Sequence, residues 1–486
     1  MTISIIKFKK IGPLGGLFLS ALLVRLLFSF YFQKFYFGDF QFKYGDGSTY
    51  LNPIINFVNN FEYIGDVFIS DSKYFRPPVY PTFLGIIYLL VSELLFDYVV
   101  AGIQCIIGSF TVLLIYGILL NIFETRKLAI ITGYIFAFYP FSILWTPLMY
   151  TETLQLFIIL SIIYISTIKN IKVYAILIQG FLVGIIFLTK QYLTLIILIP
   201  IFVILFNSKY SFQHRAINLL FLMLAFVSIV TPWIVRNYIS SNSIIIFFGK
   251  TSGLRNALDD MVEFTQFANK FDENTTEHIN SVVEEGTVRF SKHKEFLISH
   301  ERDIAVATKL AHQCGGSFLE RRKPTLADMP PHSNCNQEVV LKFNKLSEQF
   351  WREVPLWEAL ETRRDALWKI VTKSDLINKN LRINKSDILK YWLFKYRILL
   401  LILGFSGMLT VMFSKTVDRQ QKVFTASILV TAIAFYLFFC LILLSAEMRY
   451  LLTPDLLISL FAFVIPTVFL KRALSNLKAA KNRWVI

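Results

Sequence analysis

The chain has 486 residues, of which 55% are hydrophobic and only 17% are charged, and it contains 48 Phe. This composition excludes a soluble globular domain, because the surface of such a domain carries far more charge. Apolar stretches that can cross a hydrocarbon layer of about 30 Å as helices recur along the chain. The sequence therefore predicts an all-α polytopic membrane protein whose partner is the lipid bilayer.

Ten membrane-crossing helices are expected, or eleven if a short apolar run also crosses, which makes about 10–11 transmembrane helices. The ten segments lie at about 12–32, 99–123, 128–146, 153–168, 173–189, 192–207, 216–235, 396–414, 423–445 and 450–470. The first follows Lys7, Lys9 and Lys10, and no small-residue cleavage site comes after it. We therefore interpret it as a retained anchor and not as a signal peptide.

The formal net charge of +16 is gathered in short loops beside the apolar stretches. This is the positive-inside pattern, so we expect those loops and both termini to be cytoplasmic in the plasma (inner) membrane, and we expect no nucleic-acid partner. Three regions follow from this topology. They are an N-terminal transmembrane module at 1–236 with a first external loop at 33–98, an extracytoplasmic loop or cap domain at 237–395, and C-terminal helices with a basic tail at 396–486.

The apolar run Val79 to Val91 is short for a membrane span. If it crossed, every later loop would change sides and the basic loops would face outward. We therefore predict a re-entrant or interfacial helix for this run.

Several charged residues lie in or beside the predicted spans, where each costs about 2.5–3.5 kcal/mol and is expected to have a role or a partner. They are Asp46, Arg76, Glu152, Arg236 and Arg449. Taken singly, each has an ordinary explanation as a helix cap, a helix N-terminal carboxylate or an interfacial arginine. Because all five are predicted on the same face of the bundle, we expect a functional cleft there. Arg25, inside the first span, is expected to form a buried ion pair with one of the acids.

Five short motifs occur in a fixed order. They are Asp46 followed by Tyr50, then Arg76-Pro-Pro-Val-Tyr80-Pro, Thr151-Glu152, Pro232-Trp-Ile-Val-Arg236-Asn and Arg449-Tyr450. In this order and context the chain resembles the glycosyltransferase C superfamily, in particular bacterial relatives of protein O-mannosyltransferases and of the aminoarabinose transferase that modifies lipid A. The resemblance covers about 10–255 and 391–470. It departs from the family pattern at Thr189-Lys190-Gln191, where Thr-Arg-Pro is usual, and no motif matches between about 256 and 390.

The resemblance implies an inverting glycosyltransferase, either hexosyl- or pentosyltransferase. Such an enzyme moves a sugar from a polyprenyl-phosphate donor to a hydroxyl acceptor on a lipid, glycan or protein at the outer face. Asp46 is then the expected general base, because an acceptor hydroxyl needs a carboxylate to take its proton. Glu152 is the second carboxylate, which orients the acceptor or, together with Asp46, holds a divalent cation, although no ion is assigned.

The arginines are expected to bind the donor phosphate, since a guanidinium can grip phosphate through two hydrogen bonds. Arg76 is the first choice, with Arg236 and Arg449 completing the clamp. Tyr50, Tyr80 and Lys190 are expected to contact the substrate.

Two further questions stay open at this level. Cys314 and Cys335 are expected to form a disulfide, with a zinc site that includes His312 and His332, or free thiols, as alternatives. The alternative functions are an outer-face polysaccharide polymerase or ligase, and a lipid or solute transporter.

Overall fold

The protein is all-α in the computed structural model, with no strand in the residues that the structure describes. These are 12–37, 42–43, 46–63, 76–168, 172–241, 259–271, 275–314, 334–372, 387–415, 417–443 and 448–465. The two termini, predicted to be cytoplasmic, lie outside this part of the chain.

The first half of the chain forms eleven helices within those ranges. They are α1 (Gly12–Leu27), α2 (Gln33–Phe37), α3 (Gly47–Asn60), α4 (Val79–Leu90), α5 (Glu93–Phe123), α6 (Arg126–Ala137), α7 (Pro140–Ile143), α8 (Glu152–Ser166), α9 (Val173–Phe187), α10 (Leu198–Leu205) and α11 (Phe212–Ser241). A π-helical turn, Phe28–Phe32, joins α1 to α2, and a 3₁₀ helix, Gln191–Ile197, leads into α10.

The second half begins with helices that have a hydrophobic core of their own. They are α12 (Asp259–Ala268), α13 (Thr275–Glu285), α14 (Lys294–Ser299), α15 (Glu301–Cys314), α16 (Asn334–Glu353), α17 (Leu356–Ala359) and α18 (Glu361–Thr372). We call α12–α18 the insert; its core is rich in phenylalanine, including Phe264, Phe267, Phe271, Phe343 and Phe350. Three apolar helices follow, namely α19 (Asp387–Phe413), α20 (Arg419–Phe438) and α21 (Met448–Ser459), and a π-helical turn, Phe439–Leu443, extends α20.

Within the described ranges, five helices are long and apolar enough to cross a membrane, which confirms the predicted all-α polytopic class. Their spans are Gly12–Phe32, Glu93–Phe123, Phe212–Ser240, Tyr391–Phe413 and Arg419–Leu441. Shorter apolar helices form at Val79–Leu90, Glu152–Ser166, Val173–Phe187 and Gln191–Leu205. Helix α4 has 12 residues and so is about 18 Å long, which is compatible with the re-entrant or interfacial helix predicted for this run.

The predicted span at 128–146 is not one continuous helix, and this is a correction to the sequence analysis. Helix α6 ends at Ala137, and a new short helix begins at Pro140. Proline has no N–H to donate and disfavours helical geometry in the residue before it, and Tyr139 is extended at φ −68° and ψ 108°. Because the helix breaks here, the turn that follows can approach the loop that carries Asp46.

Helix α21 packs tightly against α19 through two glycines. A Cβ atom added at Gly404 would lie 2.2 Å from the carbonyl oxygen of Ile458, and one at Gly407 would lie 2.1 Å from that of Phe461. Any larger residue would force the helices apart, as at the small-residue contacts of membrane helices. A buried ion pair adds to this contact, since Arg397 Nε lies 2.5 Å from Asp455 Oδ2.

Arg25 is buried in α1, but the ion pair predicted for it is wrong. Its Nη1 donates to the carbonyl oxygens of Ala21 and Ala137, both at 3.2 Å, and its Nη2 donates to Ser142 Oγ at 3.2 Å. The break between α6 and α7 exposes carbonyl groups that no helix uses, and the guanidinium satisfies one of them. Arg25 thus supports the bundle and has no acidic partner among the described residues.

Candidate active site

Asp46 stands at the N-cap position of α3, yet its carboxylate does not cap the helix. The residue has helical geometry at φ −76° and ψ −3°, and its side chain makes no hydrogen bond to the first turn. Instead, its carbonyl oxygen accepts from both the backbone N–H and the hydroxyl of Thr49, at 3.0 and 2.7 Å. The carboxylate is therefore available to groups outside the helix.

Two arginines from distant parts of the chain meet this carboxylate. Arg449 Nη2 donates to Asp46 Oδ2 at 2.9 Å, and Arg76 Nη2 lies 3.6 Å from Oδ1. The side chain of Arg449 is 7% exposed and that of Arg76 is 14% exposed, whereas Asp46 is 39% exposed. The cations are thus fixed inside the protein, and the carboxylate is the accessible member of the group.

Each arginine is also held by contacts that do not involve Asp46. Arg76 stacks on Tyr50, with its Cζ 4.0 Å from the ring centroid, and its Nε donates to Thr49 Oγ1 at 3.0 Å. Arg449 lies between two rings, with its Cζ 4.8 Å from Tyr150 and 5.0 Å from Tyr450. Because a guanidinium stacks well on aromatic faces, both positive charges are preorganised.

A second ion pair lies beside the first. Lys190 Nζ donates to Glu152 Oε1 at 2.7 Å, and the Glu152 side chain is only 1% exposed. Lys190 Nζ also lies 4.9 Å from the ring centroid of Tyr450, the same tyrosine whose hydroxyl accepts from Arg449 at 3.2 Å. Tyr450 thus connects the two ion pairs, and we call Asp46, Arg76, Arg449, Glu152 and Lys190 the charged cluster.

Arg236 reaches the cluster indirectly. Its Nη2 donates to the carbonyl oxygen of Tyr63 at 3.0 Å, and its Cζ lies 4.8 Å from the ring centroid of Trp233. The Tyr63 hydroxyl in turn donates to the carbonyl oxygen of Arg76 at 3.0 Å. Arg236 is therefore linked to the backbone of Arg76 through Tyr63, not to the carboxylate of Asp46.

Tyr50 and Tyr80, predicted to contact the substrate, are both buried. Their rings meet edge to face at a centroid distance of 5.2 Å, and Tyr80 donates from its hydroxyl to Gln104 Oε1 at 3.0 Å. In this structure Tyr50 stacks on Arg76 and Tyr80 packs against Tyr50, and the substrate contact stays a prediction.

Gln104 and Tyr150 also belong to the site, although neither is among the residues predicted from the sequence. Gln104 Nε2 donates to the carbonyl oxygens of Thr146 and Leu148, at 3.0 and 2.7 Å, and so fixes the turn before α8. Tyr150, on that turn, accepts from the backbone N–H of Asp46 at 3.2 Å. The signal in the sequence is a glutamine within an apolar stretch of α5, because buried amides in membrane helices need partners.

The electrostatics of Asp46 follow from these neighbours. Burial alone raises the pKa of its carboxyl, but the positive charges of Arg449, Arg76 and Lys190 together hold that pKa below its ordinary value. Asp46 is accordingly ionised at neutral pH. The cluster combines three cations with two carboxylates, and this balance favours an additional anion.

The fit of a divalent cation is poor in this arrangement. Asp46 and Glu152 each face a cationic side chain. No group of three His, Cys, Asp or Glu side chains is placed to hold a metal ion within the part of the chain that the structure describes. The side chains of Cys314 and Cys335, predicted to form a disulfide, lie outside that part.

No known family model matches the chain, and no curated protein matches it in sequence. Among solved structures, it is similar to the crystal structure of the Archaeoglobus fulgidus oligosaccharyltransferase in the apo form, with a TM-score of 0.49 and 14% sequence identity. The match covers 97% of this chain and 52% of that chain, so this protein spans about half the length of the archaeal enzyme. At this level of similarity, the functional assignment rests on the site itself.

Proposed function

We propose that the protein is an inverting glycosyltransferase that moves a sugar from a polyprenyl-phosphate donor to a hydroxyl acceptor. The observation that carries the proposal is a partly exposed carboxylate, Asp46, between two nearly buried arginines that aromatic rings hold in place. This arrangement supplies a base and an anion-binding site side by side.

The arginines are suited to the leaving group. When the sugar–phosphate bond breaks, the carrier phosphate gains negative charge, and fixed cations in a site poor in water stabilise that charge best. Arg76 and Arg449 are already oriented by Tyr50, Tyr150 and Tyr450, so they need little reorganisation. Arg236, through Tyr63, supports the position of Arg76.

Asp46 takes the acceptor proton. In the resting structure its carboxylate is bound by arginines and is therefore a weak base. When the carrier phosphate takes over the arginine N–H groups, the Asp46 pKa rises and the carboxylate becomes free to accept a hydrogen bond from the acceptor hydroxyl.

The reaction is a single displacement. The acceptor oxygen forms its bond to the anomeric carbon as its proton passes to Asp46. The bond from that carbon to the phosphate oxygen breaks, and the electron pair leaves with the phosphate. Attack on the face opposite the leaving group inverts the anomeric carbon. We assign the orientation of sugar or acceptor hydroxyls to Glu152 and Lys190, the second ion pair of the charged cluster.

The basic loops favour an active site on the outer face of the plasma membrane, since the cluster lies at the ends of the helices opposite those loops in the predicted topology. A lipid-linked donor fits this location because its prenyl chain stays in the bilayer while its phosphate reaches the arginines.

The test is transfer of radiolabelled sugars from a panel of polyprenyl phosphates to lipid, glycan and peptide hydroxyls by the purified protein. Asp46→Asn should abolish transfer. Asp97→Asn is the matched control, because Asp97 pairs with Lys43 at 3.3 Å, outside the charged cluster, and this variant should retain activity.

Transfer that survives Asp46→Asn would exclude the proposed base and favour a polymerase or ligase, which need not use this carboxylate. A folded wild type that transfers nothing would favour a transporter.

A further inference from the structure

Helices α17 and α18 of the insert expose an apolar surface. Trp357 and Trp368 are 75% and 70% exposed, and three leucines beside them are exposed as well. We call this the interfacial surface; its members are Leu356, Trp357, Leu360, Leu367 and Trp368. Tryptophan and leucine gathered in this way mark a contact site on a protein surface.

The inward face of α18 is already occupied. Thr362, Ala366 and Ile370 recur every four residues and are buried. Leu367 and Trp368 in α18, and Leu360 just before it, lie outside this buried face and are exposed, beside the charged residues Glu361, Arg364 and Asp365. The outer face therefore needs a partner that the described chain does not supply.

Two hydrogen bonds fix the depth of α18 relative to the membrane spans. The thiol of Cys440 donates to the carbonyl oxygen of Arg363 at 2.9 Å, and Cys440 lies one residue before the end of the span Arg419–Leu441. Near the other end of α18, Arg397 Nη1 donates to the carbonyl oxygen of Val371 at 2.7 Å. Arg397 lies near the start of the span Tyr391–Phe413.

These two span ends lie on the same side of the membrane. Helices α19 and α20 are consecutive, pack against each other and are joined by a short connection between Phe413 and Arg419. They therefore run in opposite directions, and the start of α19 lies beside the end of α20. Helix α18 is consequently held across these ends, at the depth where hydrocarbon gives way to headgroups.

We infer that the interfacial surface is inserted into the headgroup region of the bilayer, which makes α17 and α18 a membrane-interface element of the insert. Tyr391 and Trp392, at the start of the adjacent span, are 55% and 64% exposed and continue the same aromatic band. Tryptophan and tyrosine concentrate at this depth because their rings combine an apolar body with a polar group. The exposed guanidinium of Arg364, on the same side of α18, pairs with Glu361 and Asp365 at 3.3 Å each, which keeps charged groups at the polar edge of the interfacial surface.

The test uses a spin label on one introduced cysteine at a time in the full-length protein in nanodiscs. In this background Cys314 and Cys335 are replaced by serine, and Cys105 and Cys440 are retained because they are buried. Trp357→Cys and Trp368→Cys probe the interfacial surface. Leu399→Cys, which is 54% exposed within the span, serves as the lipid control, and Leu341→Cys, 67% exposed on α16, serves as the insert control.

We expect labels at 357 and 368 to collide with oxygen more than with a water-soluble nickel chelate, as the label at 399 does, while the label at 341 shows the reverse. Labels at 357 and 368 that match the label at 341 would overturn the inference.

A second measurement keeps all four native cysteines. Lipids brominated near the headgroup should quench the tryptophan fluorescence of the wild type more than that of a Trp357→Phe, Trp368→Phe double variant. Equal fractional quenching of the two proteins would show that these rings do not contact lipid.

Discussion

Arg449 and Asp46, 403 positions apart in the sequence, are joined by a hydrogen bond of 2.9 Å. This contact brings the start of α21 onto the start of α3 and sets the geometry of the charged cluster. The same arginine lies between the rings of Tyr150 and Tyr450, so its position does not depend on Asp46 alone. An anion that displaces the Asp46 carboxylate therefore finds the guanidinium already in place.

Replacing Arg449 by lysine should reduce kcat/KM for sugar transfer by about 100-fold. Lysine keeps the charge but loses the planar group that stacks between two rings and donates in two directions. Steady-state transfer kinetics measure the effect. Arg352→Lys, at a side chain that is 79% exposed on the insert, is the control and should leave the rate unchanged. A fully active Arg449→Lys would show that only the charge matters.

Asp46→Asn should bind a sugar-free polyprenyl phosphate more tightly than the wild type, even though it cannot transfer sugar. The substitution removes the carboxylate that competes with phosphate for Arg76 and Arg449. Because Asp46 is partly exposed, the gain is on the order of 1 kcal/mol, or about fivefold in Kd. Isothermal titration in detergent measures the Kd. Weaker binding by the variant would contradict the proposal that the carrier phosphate displaces the Asp46 carboxylate from the arginines.

The stability contributed by Asp46 should disappear at low pH. Burial acts to raise its pKa, but the charges of Arg449 and Arg76 hold the folded-state value below the ordinary one. A carboxyl with a depressed pKa stabilises the folded state above its unfolded pKa, about 4, and this stabilisation is lost as the pH falls through the folded value. The wild type should therefore melt at a higher temperature than Asp46→Asn at pH 7, and the difference should shrink below about pH 4. A difference that does not vary with pH would show that the ion pairs do not stabilise the fold.

Glu152→Gln should destabilise the protein by about 3–5 kcal/mol, because it leaves the Lys190 ammonium without a counter-charge in a buried setting. The double variant Glu152→Gln, Lys190→Gln should recover much of that loss, since no isolated charge remains. Thermal unfolding of the two variants and of Lys190→Gln completes a double-mutant cycle. Additive losses would mean that the pair is not coupled.

Gln104→Leu should lower the transfer rate without removing any charged group. The carbonyl groups of Thr146 and Leu148 would lose their donor, and the turn that carries Tyr150 would shift. We expect a destabilisation of about 1–3 kcal/mol and a lower kcat. Tyr80→Phe is the matched control, because it removes only the bond to Gln104 Oε1 and leaves the turn tethered. Equal kcat in Gln104→Leu and wild type would exclude a positioning role.

The membrane-protein class and the candidate residues were accessible from the sequence because they are local properties. An apolar run of sufficient length forms a helix in lipid wherever it occurs, and five such runs form helices in the part of the chain that the structure describes. Charges beside such runs are costly, and this cost marks Asp46, Arg76, Glu152 and Arg449 as candidate functional residues in the sequence itself. The resemblance to a glycosyltransferase superfamily rests on the same residues.

The pairing of those charges was decided only by the tertiary structure. Arg25 was expected to pair with an acid, but at the break before Pro140 its guanidinium donates to the carbonyl oxygen of Ala137 and the hydroxyl of Ser142. Lys190, expected to contact substrate, forms an ion pair with Glu152, and Arg236 joins the cluster through Tyr63 and not through a carboxylate.

Composition and the lengths of the apolar runs thus determined the membrane-protein class and which residues are costly to bury. Close packing of helices, as at Gly404 and Gly407 against α21, decided their depth and rotation, and hence which charge faces which. Pairing between side chains hundreds of positions apart depends on those rotations, because a contact distance of about 3 Å is far shorter than the spacing between neighbouring helices.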